Sequence, residues 1–154
     1  MCRFHPRFKE LKIIAQGNTL QLFLRETDLE ALIPATRLSD GTLRYLALLA
    51  VLLHPAPPPL VCIEEPELGL HPDLIDDVAK LLVRASAHTQ LVVTTHSDHL
   101  VNALSDSPSA VLVTEREEQG TVLRRPEPED LGVWLKTHGL GDLWVQGDLG
   151  GTRW

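Results

Sequence analysis

The chain has 154 residues, enough for one domain with its own core, and with 44% hydrophobic but only 5% aromatic residues that core is aliphatic. A formal net charge of −7 excludes a broad basic surface for nucleic acid, though not a local basic patch. The longest apolar run, Leu46 to Leu53, is far short of the ~20 residues of a membrane span, and the charged start MCRFHPRFKELK holds no apolar leader, so the reading is a cytoplasmic protein.

Phe8 to Ala15 and Leu20 to Arg25 are β-like runs split by the turn signal QGNT, which predicts a hairpin. Glu26 to Arg37 is polar, contains one proline and reads as a loop, so residues 1–37 lead into the core. In LSDGTLRYLALLAVLLH (38–54), Ser39 or Asp40 can cap a helix running to about Leu53. That helix is apolar nearly all round and should be buried on most sides. Gly41 leaves the backbone bare near the helix start, where free N–H groups and the dipole make an anion site without a lysine. Taken alone, Ser-Asp-Gly is an ordinary N-cap with a glycine in the first turn.

HPAPPP (54–59) ends the helix and leads to LVCIEEPELGLHP (60–72). Leu60 to Ile63 reads as a short buried strand, with Cys62 a buried thiol, and the two cysteines of the chain make no disulfide framework, as a reducing compartment allows. Glu64 and Glu65 follow, and Pro66 stops the strand. The acids therefore stand at the carboxyl end of a strand, where open α/β sheets place their ligands. An isolated Glu-Glu pair would be no more than a solvated acidic turn. Pro72 and Asp73 start a helix whose Leu74, Ile75, Val78, Leu81 and Leu82 share one face. Leu91 to Thr95 is the next strand, ending in His96. A short helix over Asp98 to Leu104 follows, with Asp98 a candidate cap. Ala110 to Val113 reads as a third strand and Thr121 to Arg124 as a fourth, paired with it across EREEQG. Strand, helix, strand, helix, strand is the alternation of a parallel sheet, so the fold class is α/β with flanking helices and an N-terminal hairpin. A helix around Glu127 to Lys136 leads to the tail GLGDLWVQGDLGGTRW, whose Trp144 and Trp154 favour order and which carries no assigned chemistry.

LSDGTLR (38–44), a strand ending in Glu64-Glu65, LGLHP (68–72) and a strand ending in TTHS (94–97) stand in that order. Together they resemble the second half of an ABC-type ATPase head domain, the class of RecF, the SMC proteins and the predicted ATPases related to the OLD family. The tail is similar to that last branch. The resemblance implies a partial P-loop NTPase sheet, with residues 38–154 as the C-terminal half of the domain. It implies that Ser39 and Gly41 of the signature touch the γ-phosphate of an ATP held by a second subunit. Glu64 takes the place of the Mg²⁺-associated acid, usually Asp, and Glu65 that of the general base. ELGLHP would be the D-loop of a head-to-tail dimer and His96 the switch histidine. His71, His96 and His99 beside two glutamates suggest a metal cluster, but HxxH off a strand end is no zinc spacing, so a zinc hydrolase is disfavoured.

No G-x-x-x-x-G-K-[ST] is present, and none of Lys9, Lys12, Lys80 and Lys136 has a phosphate-loop context. In the family the P-loop strand lies between the histidine strand and the strand after it, so Leu91–Thr95 and Ala110–Val113 should keep open edges or be forced together. Two functions follow. One is an ATPase half that needs a P-loop-bearing half or partner to act. The other is a catalytically inactive interaction module derived from such an ATPase. DNA binding is an analogy of fold alone.

Overall fold

The structure is a computed structural model that describes residues 6–126, 131, 135 and 138–150. The chain divides into two compact units, Met1–His54 with Gly69–Leu74, and Pro55–Leu68 with Ile75–Trp154.

In the first unit the hairpin forms as expected. β1 (Phe8–Gln16) and β2 (Thr19–Glu26) pair antiparallel, and the short β3 (Ile33–Pro34) adds to β2. The tight turn needs a left-handed residue, which Gly17 supplies with φ 59°. The register sets Leu11 opposite Leu24, Ile13 opposite Leu22 and Ala15 opposite Leu20, so one face is apolar. Its base is covered, with Leu24 fully buried, but toward the tip Ile13 is 70% and Leu20 76% exposed. The opposite face carries Glu10, whose carboxylate lies 3.0 Å from Arg25 Nε and 3.3 Å from Lys12 Nζ.

α1 (Asp40–Leu52) starts where expected, with Ser39 as its cap: Ser39 Oγ accepts from the Thr42 N–H at 3.2 Å. It buries Thr42, Tyr45, Leu46 and Leu52, whereas Arg44, Ala47, Ala50 and Val51 are exposed. Burial on most sides is therefore not found. One flank of the helix is covered and the other is open.

In the second unit β4 (Leu60–Glu64) and β5 (Gln90–Thr94) pair in parallel, joined through α2 (Ile75–Ala85). α2 buries Ile75, Val78, Ala79, Leu82 and Ala85, the expected stripe, with Leu81 half-buried at its margin. The strands themselves correct an expectation. Leu60, Cys62 and Glu64 on β4, and Gln90, Val92 and Thr94 on β5, are exposed, so Cys62 is an accessible thiol. Only Val61, Ile63, Leu91 and Val93, on the other face, are half-buried. Parallel sheets are normally covered on both faces, and here one face of a two-stranded sheet stays open.

The expected third parallel strand at Ala110–Val113 is also not found. Pro108 opens a single 3₁₀ turn that takes up Ala110, and a paired strand begins only at β6 (Val113–Glu117), which pairs antiparallel with β7 (Gly120–Arg124) as a separate hairpin. Among the described residues β4 and β5 pair only with each other, so the edges of this sheet are open.

Residues 139–150 of the tail form a clasp. α3 (Asp98–Asn102), capped by Ser97 rather than Asp98, packs against α4 (Leu140–Gln146). Val101, Leu131, Leu140 and Leu143 form a core flanked by Trp144 and Leu149. Asn102 Nδ2 donates to Asp142 Oδ1 at 3.1 Å, the Asp142 N–H donates to Asn102 Oδ1 at 3.1 Å, and the Gly139 N–H donates to Asp142 Oδ2 at 3.0 Å. A Cβ on Gly141 would lie 2.1 Å from the Asp98 carbonyl oxygen, so glycine is required for this approach. The expected helix at Glu127 to Lys136, apart from Leu131 and Leu135, and Trp154 lie outside the described residues.

Two measurements follow. In a Cys2→Ser variant, Cys62 should react with a thiol reagent in the native chain about as fast as in urea; slow native labelling would place it under cover. The Gly139 N–H, then the Asn102 amide, hold the Asp142 carboxyl below its ordinary pKa. A depressed folded pKa means the unfolded chain binds the proton more readily, so this stabilisation is present above the ordinary aspartate range and is lost as pH falls through the folded pKa. Asp142→Ala should thus lower Tm at neutral pH, and the gap to wild type should close well below about pH 3.9.

Candidate functional site

Two groups of candidate residues emerge, one in each unit. In the second unit the parallel register sets Glu64 opposite Thr94, so the residues just beyond each strand end come together. Glu65 leaves β4 in the left-handed region, φ 43°, which frees it from the strand alternation that would otherwise send it to the face opposite Glu64. Its N–H donates to the Thr94 carbonyl at 2.9 Å, and its carbonyl accepts from the Leu68 N–H at 3.0 Å. His96 Nε2 lies 3.7 Å from Glu65 Oε1, with the carboxylate 33% and the imidazole 75% exposed. A solvent-accessible carboxylate beside an imidazole is an arrangement that can take a proton from water and hold it near a second polar group.

Glu64 is exposed at the strand end. Among the described residues no group of three or more His, Cys, Asp or Glu side chains could hold a metal ion. Mg²⁺ needs no such cage. It keeps several waters and takes one or two carboxylates together with phosphate oxygens, which a single exposed carboxylate fits.

In the first unit Ser39 and Gly41 open α1, with Ser39 and Asp40 exposed. Ser39 Oγ is also 2.8 Å from Thr42 Oγ1, so the hydroxyl is held in place at the helix start. A Cβ on Gly41 would stand 2.7 Å from the carbonyl oxygen of Gly69, which itself has φ 75° and lies against the Arg44 side chain. Gly69 thus packs on the first turn of α1. This gives Gly41 a steric reason to be glycine, beside the bare backbone that an anion would use.

Three polar residues near the acids were not among the candidates. Thr95 Oγ1 donates to Glu67 Oε1, and the Ser97 N–H donates to Thr95 Oγ1 at 3.0 Å. All three stand inside quoted motifs, but their pairing depends on the register of β4 with β5, which periodicity does not encode.

A family model described as "AAA domain, putative AbiEii toxin, Type IV TA system" matches residues 3–102. The energy-coupling factor transporter ATP-binding protein EcfA2 of Lactobacillus acidophilus is 30% identical over 110 residues, 68% of this chain and 35% of that protein. The chain thus spans about a third of the length of this curated relative. A solved chain from work on ATP-driven dimerization and DNA-stimulated activation of SMC ATPases superposes with a TM-score of 0.65 at 12% identity, covering 99% of this chain and 88% of that one. The SMC head bound to the C-winged helix domain of ScpA gives 0.65 at 15% identity, covering 86% and 41%. At these identities the likeness is one of fold, the mixed α/β fold of SMC ATPase heads.

Gly41→Ala should destabilise the chain by about 1–3 kcal/mol, because its contact is with backbone rather than a movable side chain. Urea unfolding checks this, and an unchanged midpoint would mean that Gly69 yields freely.

Proposed function

The chain belongs to this AAA-domain family, and we propose that it carries an ATPase-like domain of the ABC and SMC type, the signature and Walker B half of an ATP-hydrolysing site completed by a P-loop-bearing half or second subunit. The observation that carries this reading is the pairing of Glu65 with His96 at 3.7 Å beyond the ends of two parallel strands.

In this reading residues 38–154 are the C-terminal half of the domain and residues 1–37 lead into it. Ser39 and the first-turn N–H groups around Gly41 meet the γ-phosphate of ATP held by the other half. Glu64 holds Mg²⁺, which neutralises charge on the phosphates when bound. Glu65 takes the proton of the attacking water on its carboxylate, and His96 orients that water or senses the phosphate. The cytoplasm is the compartment proposed. The relatives described as dimerising with ATP and responding to DNA are SMC ATPases. For this chain the residues support a nucleotide-bridged dimer, and DNA rests on likeness alone.

The open edge of β5 and the exposed Leu60, Cys62 and Val92 support a partner that adds a strand and covers this face. They equally favour a second reading, an interaction module without catalysis, since the sequence contains no G-x-x-x-x-G-K-[ST]. The test begins with the roughly 600 bases upstream of the Met1 codon, the coding length of about one further domain. If a P-loop is encoded there in any frame, it is expressed with this chain and phosphate release is measured. Glu65→Gln should slow hydrolysis by about 100-fold or more while ATP-dependent association persists. Undiminished hydrolysis in that variant would remove Glu65 from the base role, and association indifferent to ATP would favour the interaction module.

A further inference from the structure

We propose that Glu67 is a positioning residue which, through the Thr95 hydroxyl, locks the turn carrying Glu65 to the loop carrying His96. The proposal rests on the reading of Glu65 and His96 as the hydrolytic pair, since only then does their alignment matter.

Glu65 holds a backbone conformation that residues with a side chain seldom adopt, φ 43°. Such a conformation persists only where the surroundings over-determine it. Two backbone bonds fix the turn, from the Glu65 N–H to Thr94 and from the Leu68 N–H back to Glu65. Glu67 lies inside that turn, and its Oε1 accepts the Thr95 hydroxyl proton. The same hydroxyl oxygen accepts from the Ser97 N–H at 3.0 Å, and Ser97 Oγ accepts from the Leu100 N–H at 3.2 Å, the first turn of α3. A continuous run of bonds therefore leads from the turn through Glu67, Thr95 and Ser97 into α3. His96 sits between the two bonded residues Thr95 and Ser97. Its own imidazole is 75% exposed and has little packing to aim it at Glu65.

The second oxygen of Glu67 is enclosed by the fold. Glu67 Oε2 is buried and finds no hydrogen-bond donor among the described residues. A buried acceptor without a donor is destabilising. What the carboxylate supplies is a strong acceptor for Thr95, and through it a fixed distance between the acid and the histidine.

The test uses the full chain without nucleotide. Three-bond NMR couplings report the sign of the Glu65 φ, a cross-relaxation peak reports proximity of the Glu65 side chain to the His96 ring, and urea unfolding reports stability. In Glu67→Ala and in Thr95→Val, which keeps the branched shape but loses the hydroxyl, the positive φ and the Glu65–His96 peak should both be lost. In Glu67→Gln and Thr95→Ser, which keep the acceptor and the hydroxyl, both signals should return. If Glu67→Ala does not fold, the Thr95 pair decides. Signals retained in Thr95→Val, or lost equally in Thr95→Ser, overturn the proposal whatever the change in stability. No hydrolysis is measured, so this outcome is separate from that of Glu65→Gln.

Discussion

The register between β4 and β5 is the constraint on which the candidate site depends. With Glu64 paired to Thr94, the next residue on each strand enters the same small volume at the sheet end. A slip of one residue would exchange the faces of the strand and separate Glu65 from His96. Parallel pairing also explains why residues some 30 positions apart in sequence can cooperate, because α2 returns the chain to the same end of the sheet.

Much of this was legible from local chemistry. The Gly-Asn turn, the Ser39 cap and the stripe Leu74, Ile75, Val78 and Leu82 each specify an element by a short-range rule, and each element is found. Composition patterns failed where neighbours decide. A run such as Leu60 to Ile63 looks the same whether its sheet is covered on one face or two, so Cys62 was placed inside when it is outside. Ala110 to Val113 has strand composition, but Pro108 and the pairing with β7 move the strand onward by three residues.

The candidate site residues were singled out through resemblance of motifs. What the motifs could not supply was the side-chain bond from Thr95 to Glu67, or the fit of Gly41 against Gly69, since both depend on segments brought together by folding. The tail teaches the same lesson. Its tryptophans suggested an ordered end without assigned chemistry, and the reason for one of its glycines is visible only in the backbone of α3 pressing on Gly141.

The bare tip of the N-terminal hairpin has a consequence for supply rather than for structure. Ile13 and Leu20 display apolar surface to water that a binding partner would remove. A cell clears proteins that display such surface, through chaperones and proteases. Were a partner to cover this tip, the lifetime of each copy would depend on how quickly it is assembled, and its abundance would follow that of the partner. Stoichiometry would be enforced by the loss of unassembled copies, without any control of synthesis.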